Sequence, residues 1–332
     1  STYSASAANA TMCRCGVIAL LQLATNVCRP DHTAPSESLP AEAEPMPIEP
    51  HAIVRAGDTT TETCEIGAEG LTVSRMLGPE QGAMHLAAAT SRLDAGGRVP
   101  GHEHPFEESF FMLSGRAVVT IADVSYELGE GDFGFAPLGV PHAWSNPFGK
   151  AAQWLRVRAP VPRTDGRTAS SRIVAGFDAA TSGPAVDPKA PNQRFVGHFD
   201  DSQVAPPGPI VMPGYRGYGI DNVSIRMMVD EFIGAEHHTL FIVQFEPAEV
   251  FSAKEHFHPF EELYYFTHGA ADGIVGGEPC RIEAGELVFA GVNATHGFTN
   301  GGDVPVRWIE AQAPKPTPRN GTLFVHDWIS DT

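Results

Sequence analysis

The heptapeptide His-Glu-His-Pro-Phe-Glu-Glu at 102–108 returns as His-Phe-His-Pro-Phe-Glu-Glu at 256–262. The offset is 154 residues, and it is kept beyond the heptapeptide. Gly115 maps on Gly269, Gly131 on Gly285, His142 on His296, Asn146 on Asn300 and Trp154 on Trp308, without a gap. Upstream the match continues with small slips, "VSRML" at 73–77 against "SIRMM" at 224–228 and "AMH" at 83–85 against "AEH" at 235–237. A repeat of this length means one structural unit written twice, so the chain must fold as two like domains. Its 332 residues suit that division.

Each unit consists of short apolar or alternating runs broken by Gly, Pro and Asp. "AVVTI", "VSYEL", "FGFAP" and a run opening after "LGVP" read as strands, "SRIV" at 171–174 as a further one, and "GEGD" as a turn. The 34 glycines and 28 prolines fit a chain of many turns, and no long helical period appears. The expected fold is all-β, two antiparallel domains in tandem whose strands have sandwich or barrel spacing. The expected organisation is an N-terminal extension over 1–49, a first domain over 50–160, a connection over 161–192 and a second domain over 193–332.

The extension holds "MCRCGVIALLQLATNVC" at 12–28, whose apolar run is too short to span a bilayer and lacks a clean cleavage site. Export is the alternative to a cytoplasmic chain. Residues 29–50, rich in Pro, Glu, Ser and Ala, read as a disordered or extended linker. Cys13, Cys15, Cys28, Cys64 and Cys280 form no even framework, so free thiols are expected. A net charge of −18 argues against nucleic acid or an anionic membrane as partner.

Side chains alternate along a strand, and His102, His104 and Glu108 share parity. On one unbroken strand they would face the same lumen, with His142 added from the strand after "PLGVPH". Three imidazoles and a carboxylate suit a first-row transition metal. Four protein ligands leave two octahedral positions for water, substrate oxygen or dioxygen, an arrangement made for chemistry rather than for closing a fold. His256, His258, Glu262 and His296 repeat the set. Fe(II) or Mn(II) is the expected ion, with Ni, Cu and Zn also within the donors' range, up to one per barrel. Continued parity places Phe110, Met112 and Trp144 in the first lumen, and Tyr264, Phe266 and Phe298 in the second, as a lining for a flat or apolar organic substrate. Glu107 and Glu261 have the opposite parity and are expected to be solvated. Trp154 and Trp308 read as core or inter-domain packing, and nothing ties His85, His237 or His238 to a ligand.

The chain resembles the cupin superfamily, in its two-domain bicupin form. The first cupin motif is matched by Gly96, His102, His104, Glu108 and Gly115, the second by Gly131, Pro137, Gly139, His142 and Asn146. The C-terminal unit matches at His256, His258, Glu262, Gly269, Gly285, His296 and Asn300. It departs where Val250 stands for the opening Gly, Gly291 for the Pro and Asn293 for the second Gly. The resemblance, over about residues 50–330, implies two packed jelly-roll barrels, each holding a metal through three His and one Glu. It also suggests a homo-oligomer.

The reading drawn from this is a dioxygenase-type oxidoreductase using dioxygen on a small phenolic or enolic substrate. Glu108 or Glu262 would then be the catalytic base. An oxalate-type decarboxylase or oxidase is the alternative; it needs an inward arginine, and "SFFMLSG" and "LYYFTHG" offer none, leaving Arg92, Arg116 or Arg156 to come from other strands. A redox-neutral isomerase or lyase and a non-catalytic binding bicupin complete the set.

Overall fold

The computed structural model describes residues 50–62, 67–162, 170–190, 193–210, 220–247, 253–316 and 323–324. The leader-like stretch, most of the linker expected at 29–50, Cys13, Cys15, Cys28, Cys64 and Val250 lie outside these residues. Among the described residues the regular structure is strand, apart from two short 3-10 turns at Pro79–Gln81 and Asp201–Gln203. The first half contains β1 (His51–Val54), β2 (Thr60–Glu62), β3 (Glu69–Leu77), β4 (Ala87–Glu103), β5 (Glu107–Ser114), β6 (Ala117–Ile121), β7 (Val124–Leu128), β8 (Asp132–Ala136), β9 (His142–Ser145), β10 (Ala152–Ala159) and β11 (Arg172–Ile173). The second contains β12 (Val196–His198), β13 (Val223–Val229), β14 (Thr239–Phe245), β15 (Ala253–Phe257), β16 (Glu261–His268), β17 (Ala270–Val275), β18 (Glu278–Glu283), β19 (Leu287–Ala290), β20 (His296–Thr299), β21 (Val306–Ala313) and β22 (Leu323–Phe324).

Two jelly-roll barrels result. In the first, the long strand β4 serves both walls. Its early residues pair with β3 and β10, its late ones with β9 and β11. The change of wall falls at Gly96, with φ 78°, and Gly97, where a Cβ would lie 2.7–2.9 Å from Leu93 and from the backbone oxygens of Asp94 and Glu69. Only glycine turns the strand there. The second barrel builds one wall from β19-β16-β21-β14-β13 and the other from β18-β17-β20-β15-β22.

Each barrel lends the other a strand. β1 joins the second barrel by pairing with β19, while β12 joins the first by pairing with β8. Between the barrels lies a shared core in which Leu77, Phe135 and Leu155 meet Leu263, Phe289 and Ile309, all at most 1% exposed. Each such side chain stabilises the pair of barrels by about 1.5–3 kcal/mol through burial.

The exchanged strand explains a departure from the cupin pattern. Gly291 donates its N–H to Pro50 O at 2.8 Å, and a Cβ there would stand 2.5 Å from that oxygen. The position lacks the motif's Pro because it receives the start of β1 and donates to it. Asn293 takes a left-handed φ of 65°, as Gly139 does at 70°, and the two N–H groups reach His258 O and His104 O at 2.8 and 2.9 Å. The turn before each last histidine is therefore the same in both units. We expect Gly291→Ala to push β1 off β19 at a cost of about 1–3 kcal/mol. Urea unfolding of the full chain measures this, and an unchanged midpoint would contradict the fit.

Two expectations are corrected. The HxH and the Glu do not share one strand: β4 and β15 end before His104 and His258, and β5 and β16 begin after a tight turn through Pro105–Phe106 and Pro259–Phe260. Proline has no N–H to give a ladder, which ends the strand there. Glu107 and Glu261 are not solvated, being 2% and 0% exposed. They point out of their own barrel, but what lies outside is the other barrel. Glu261 accepts from the backbone N–H groups of Met84, His85 and Leu86 at 2.6, 2.8 and 2.9 Å. Glu107 accepts from those of Glu236 and His237 at 2.8 and 3.0 Å, and lies 3.1 Å from Nδ1 of His238. The slipped "AMH" and "AEH" repeats are thus the two receptors of a reciprocal carboxylate clamp.

Candidate metal centres

In each barrel two histidines face each other across a strand pair, His102 opposite His142 and His256 opposite His296. Directly opposed strand positions place Cβ atoms about 5 Å apart, close enough for two imidazoles to share an ion. The third imidazole comes from the turn after the strand. Its plane is set by the phenylalanine of the heptapeptide, Phe106 stacking on His104 at 4.3 Å and Phe260 on His258 at 4.6 Å. In each triad the nitrogens on offer lie within 4.8 Å of one another, and all six residues are buried.

The tautomers follow from the second ring nitrogen. Nδ1 of His102, His142 and His296 sits 2.8, 3.1 and 2.9 Å from a backbone carbonyl, and a carbonyl can only accept. Nδ1 therefore carries the proton and Nε2 presents its lone pair to the lumen. In the first barrel Nε2 of His102, His104 and His142 is buried with no hydrogen-bond partner. Three orphaned acceptors converging in one lumen cost about 1–3 kcal/mol each unless something satisfies them. A cation does so, and the donor set fits one. Burial keeps His104 and His142 neutral, as ligation requires: it pushes His104 down to about 2 and His142 to about 4. His256 is held well below its usual range by burial and by His296.

The carboxylates behave differently. In the second barrel Glu262 turns Oε2 toward the triad, 3.2 Å from Nε2 of His258 and 3.0 Å from that of His296. Its other oxygen accepts from Gln312 at 2.7 Å. Tyr264 donates to Oε2 as well, its hydroxyl 2.8 Å from His296 Nε2. A second buried carboxylate, Glu310, accepts from Trp308 at 3.0 Å and from Gln312 at 3.0 Å. Burial raises both acids, yet His258 and His296 hold Glu262 far below the carboxylate range, while the Glu262 charge adds to burial in lifting Glu310 well above it. In the first barrel Glu108 Oε2 lies 3.7 Å from His104 Nε2 and accepts instead from Arg156 Nη2 at 2.7 Å and Arg158 Nε at 2.7 Å. These guanidinium groups outweigh burial and keep Glu108 well below its usual range.

The lumens differ too. A cavity opens in the second barrel. The triad, Glu262, Tyr264, Glu310 and Gln312 stand at its polar end, and Ile220, Val223, Phe241, Phe245, Phe298 and Trp308 line the rest. Phe266 is fully buried behind that wall, 5.2 Å from Trp308. In the first barrel Phe110 meets Trp144 edge to face at 4.8 Å, Trp144 stacks on Trp154 at 4.5 Å, and Met112 is fully buried in the same core. Of the three arginines raised from sequence, only Arg156 is buried; Arg92 pairs with Asp94 and Arg116 with Glu127 at the surface. Reading the 154-residue offset further along the chain exposes what parity missed, since Arg156 and Arg158 map on Glu310 and Gln312.

The cupin domain family matches the chain twice, at residues 89–158 and 241–311. Tetracenomycin polyketide synthase protein TcmJ of Streptomyces glaucescens is 32% identical over 110 residues, which span 32% of this chain and 70% of that protein. The chain belongs to the cupin superfamily. With two such domains it is a bicupin, and solved bicupins share its fold. The oxalate decarboxylase of Lactobacillus farciminis, solved as a formate complex, superposes with a TM-score of 0.58 at 17% identity, over 84% of this chain and 90% of that one. The oxalate decarboxylase of Bacillus subtilis, whose centres are Mn(II), gives 0.53 at 18% identity, over 84% and 81%. At these identities the likeness is one of fold. No helix among the described residues is long and apolar enough to cross a membrane.

Proposed function

We propose that this bicupin is a metal-dependent oxidoreductase of dioxygenase type whose reaction centre is the C-terminal barrel and whose substrate is a small phenolic or enolic molecule. The observation that carries this reading is the cavity beside the triad, apolar along most of its walls and polar at the end that holds the triad, Glu262, Tyr264, Glu310 and Gln312. Phe241, Phe245 and Phe298 would bury a flat ring and exclude water from it. Glu262, ionised and anchored through Gln312, stands where a substrate hydroxyl would meet the triad and can take its proton. Tyr264 steadies that carboxylate by donating to it. Fe(II) or Mn(II), when bound, supplies a Lewis acid for the substrate oxygen and a path for electrons between substrate and dioxygen. The polyketide synthase connection in the name of TcmJ supports an enolic substrate, because polyketide chains carry readily enolised ketones.

An oxalate-type decarboxylase is the second reading, favoured by the buried Arg156 of the first barrel, a cation a small dianion could use. The deciding experiment is oxygen uptake by protein loaded with Fe(II) or Mn(II), against a panel of catechols, flavonols and β-diketones, with and without chelator. Chelator-sensitive uptake is expected with at least one of them. Carbon dioxide release from oxalate without oxygen uptake would transfer the assignment to the second reading, and silence in both assays would sink both.

A further inference from the structure

We propose that the two barrels hold their ions with different ligand sets: three imidazoles and Glu262 in the C-terminal barrel, but three imidazoles alone in the N-terminal barrel, where Glu108 serves Arg156 and Arg158. The inference rests on the reading of both triads as metal sites.

The geometry separates the two carboxylates. Ligands about 2.1 Å from an ion and at right angles to each other stand about 3.0 Å apart. Glu262 Oε2 meets that spacing, at 3.2 and 3.0 Å from two ring nitrogens of its triad. Glu108 Oε2 misses it, at 3.7 Å from His104. The occupied oxygens differ as well. Gln312 anchors Glu262 through Oε1, and Oε2, directed at the triad, accepts from the neutral hydroxyl of Tyr264 rather than from a guanidinium. In the first barrel Arg156 and Arg158 both donate to Oε2, the oxygen nearer the triad, with a longer contact from Arg156 Nε at 3.3 Å. Two short charge-assisted bonds engage the lone pairs that a metal bond would need. Arg156 is 3% exposed, so releasing Glu108 to an ion would cost a buried guanidinium a carboxylate held at 2.7 Å. The chain encodes the difference at one offset, where Arg156 and Arg158 stand against Glu310 and Gln312.

The consequence is selectivity. A carboxylate extends an imidazole set toward Mn(II), whereas imidazoles alone favour Zn(II), Cu(II) and Ni(II). The C-terminal site should prefer Mn(II) or Fe(II) relative to its twin, and the N-terminal site should discriminate against Mn(II).

The test isolates each site in the full-length, metal-stripped chain, with His258→Ala to silence one barrel or His104→Ala to silence the other. Mn(II) and Zn(II) affinities are then measured by titration, with the Mn(II) spectrum read by electron paramagnetic resonance. Glu262→Gln should weaken Mn(II) at the C-terminal site by more than about 100-fold, beyond the range typical of groups that only support a ligand. Glu108→Gln should change Zn(II) affinity at the N-terminal site by less than about threefold. If Glu108→Gln does not fold, Arg158→Gln decides: loosening the carboxylate should raise Mn(II) affinity at that site at least tenfold, and unchanged or lower affinity overturns the proposal. Equal losses from Glu108→Gln and Glu262→Gln overturn it too, while leaving the metal reading intact. A chain that binds no ion at either site overturns both.

Discussion

His258→Ala is expected to release the ion of the C-terminal barrel and abolish turnover, while His104→Ala releases the other ion and leaves turnover largely in place. Replacing a group that merely supports a ligand costs roughly 10–100-fold in metal affinity or activity, and losing a ligand costs more. His258 is also wedged between Phe260, on which it stacks at 4.6 Å, and Glu262, 3.2 Å away. Its loss therefore leaves Glu262 without one of the two rings that hold it ionised. Elemental analysis of protein purified without chelators or an affinity metal should give one ion fewer per chain in each variant. Oxygen uptake should fall more than about 100-fold in His258→Ala only. A fall confined to His104→Ala would move the reaction to the N-terminal barrel and reverse the reading of the two lumens.

Glu261→Ala is expected to be the most destabilising change away from the triads. Its carboxylate is the acceptor for three successive N–H groups of the opposite barrel, at Met84, His85 and Leu86. Truncation strands those donors at a position that is 0% exposed. A buried orphan costs about 1–3 kcal/mol, and water reaching the Met84 end softens the sum to about 3–5 kcal/mol. For a chain of this size that lowers the melting temperature by roughly 10 °C, readable by calorimetry. A shift below about 2 °C would remove the clamp from the list of features that hold the barrels together. Glu107→Ala should act similarly, since it also leaves His238 with Ser109 alone, at 2.6 Å.

The Glu107 clamp carries a pH signature. Burial raises its acid, but the hydrogen bonds from His238 and from the N–H groups of Glu236 and His237 prevail and set it below the ordinary value. A group depressed in the folded state contributes stability above its unfolded pKa of about 4.3 and loses it as pH falls through the folded value. The stability gap between wild type and Glu107→Gln should thus be full at pH 6 and shrink below pH 4, and denaturant titrations at the two pH values measure it.

Much of this was legible in the chain. The 154-residue repeat determined that there are two like domains, and the Gly, Pro and Asp punctuation determined that they are β. The strands at 117–121 and 124–128 run where the alternation puts them. Both histidine triads converge as expected, although the assumed unbroken strand is cut at Pro105 and Pro259. The turn at Asn293 was legible because a left-handed residue is a local property, and Asn declares it.

What tertiary structure decided is everything that depends on a neighbour distant in sequence. Parity tells which face of a strand a residue occupies, not what lies beyond that face. Glu107 and Glu261 occupy the outward face, and only docking shows that the outside is another barrel. Gly291 reads as a missing proline until β1 crosses to sit on it. Glu108 and Glu262 are the same letter in the same motif, yet one faces two guanidinium groups and the other a glutamine, because the strands at 152–159 and 306–313 bring different residues against them. A motif specifies local geometry and donor type. The charge and free volume around it are set by long-range packing, and these are what separate the two sites.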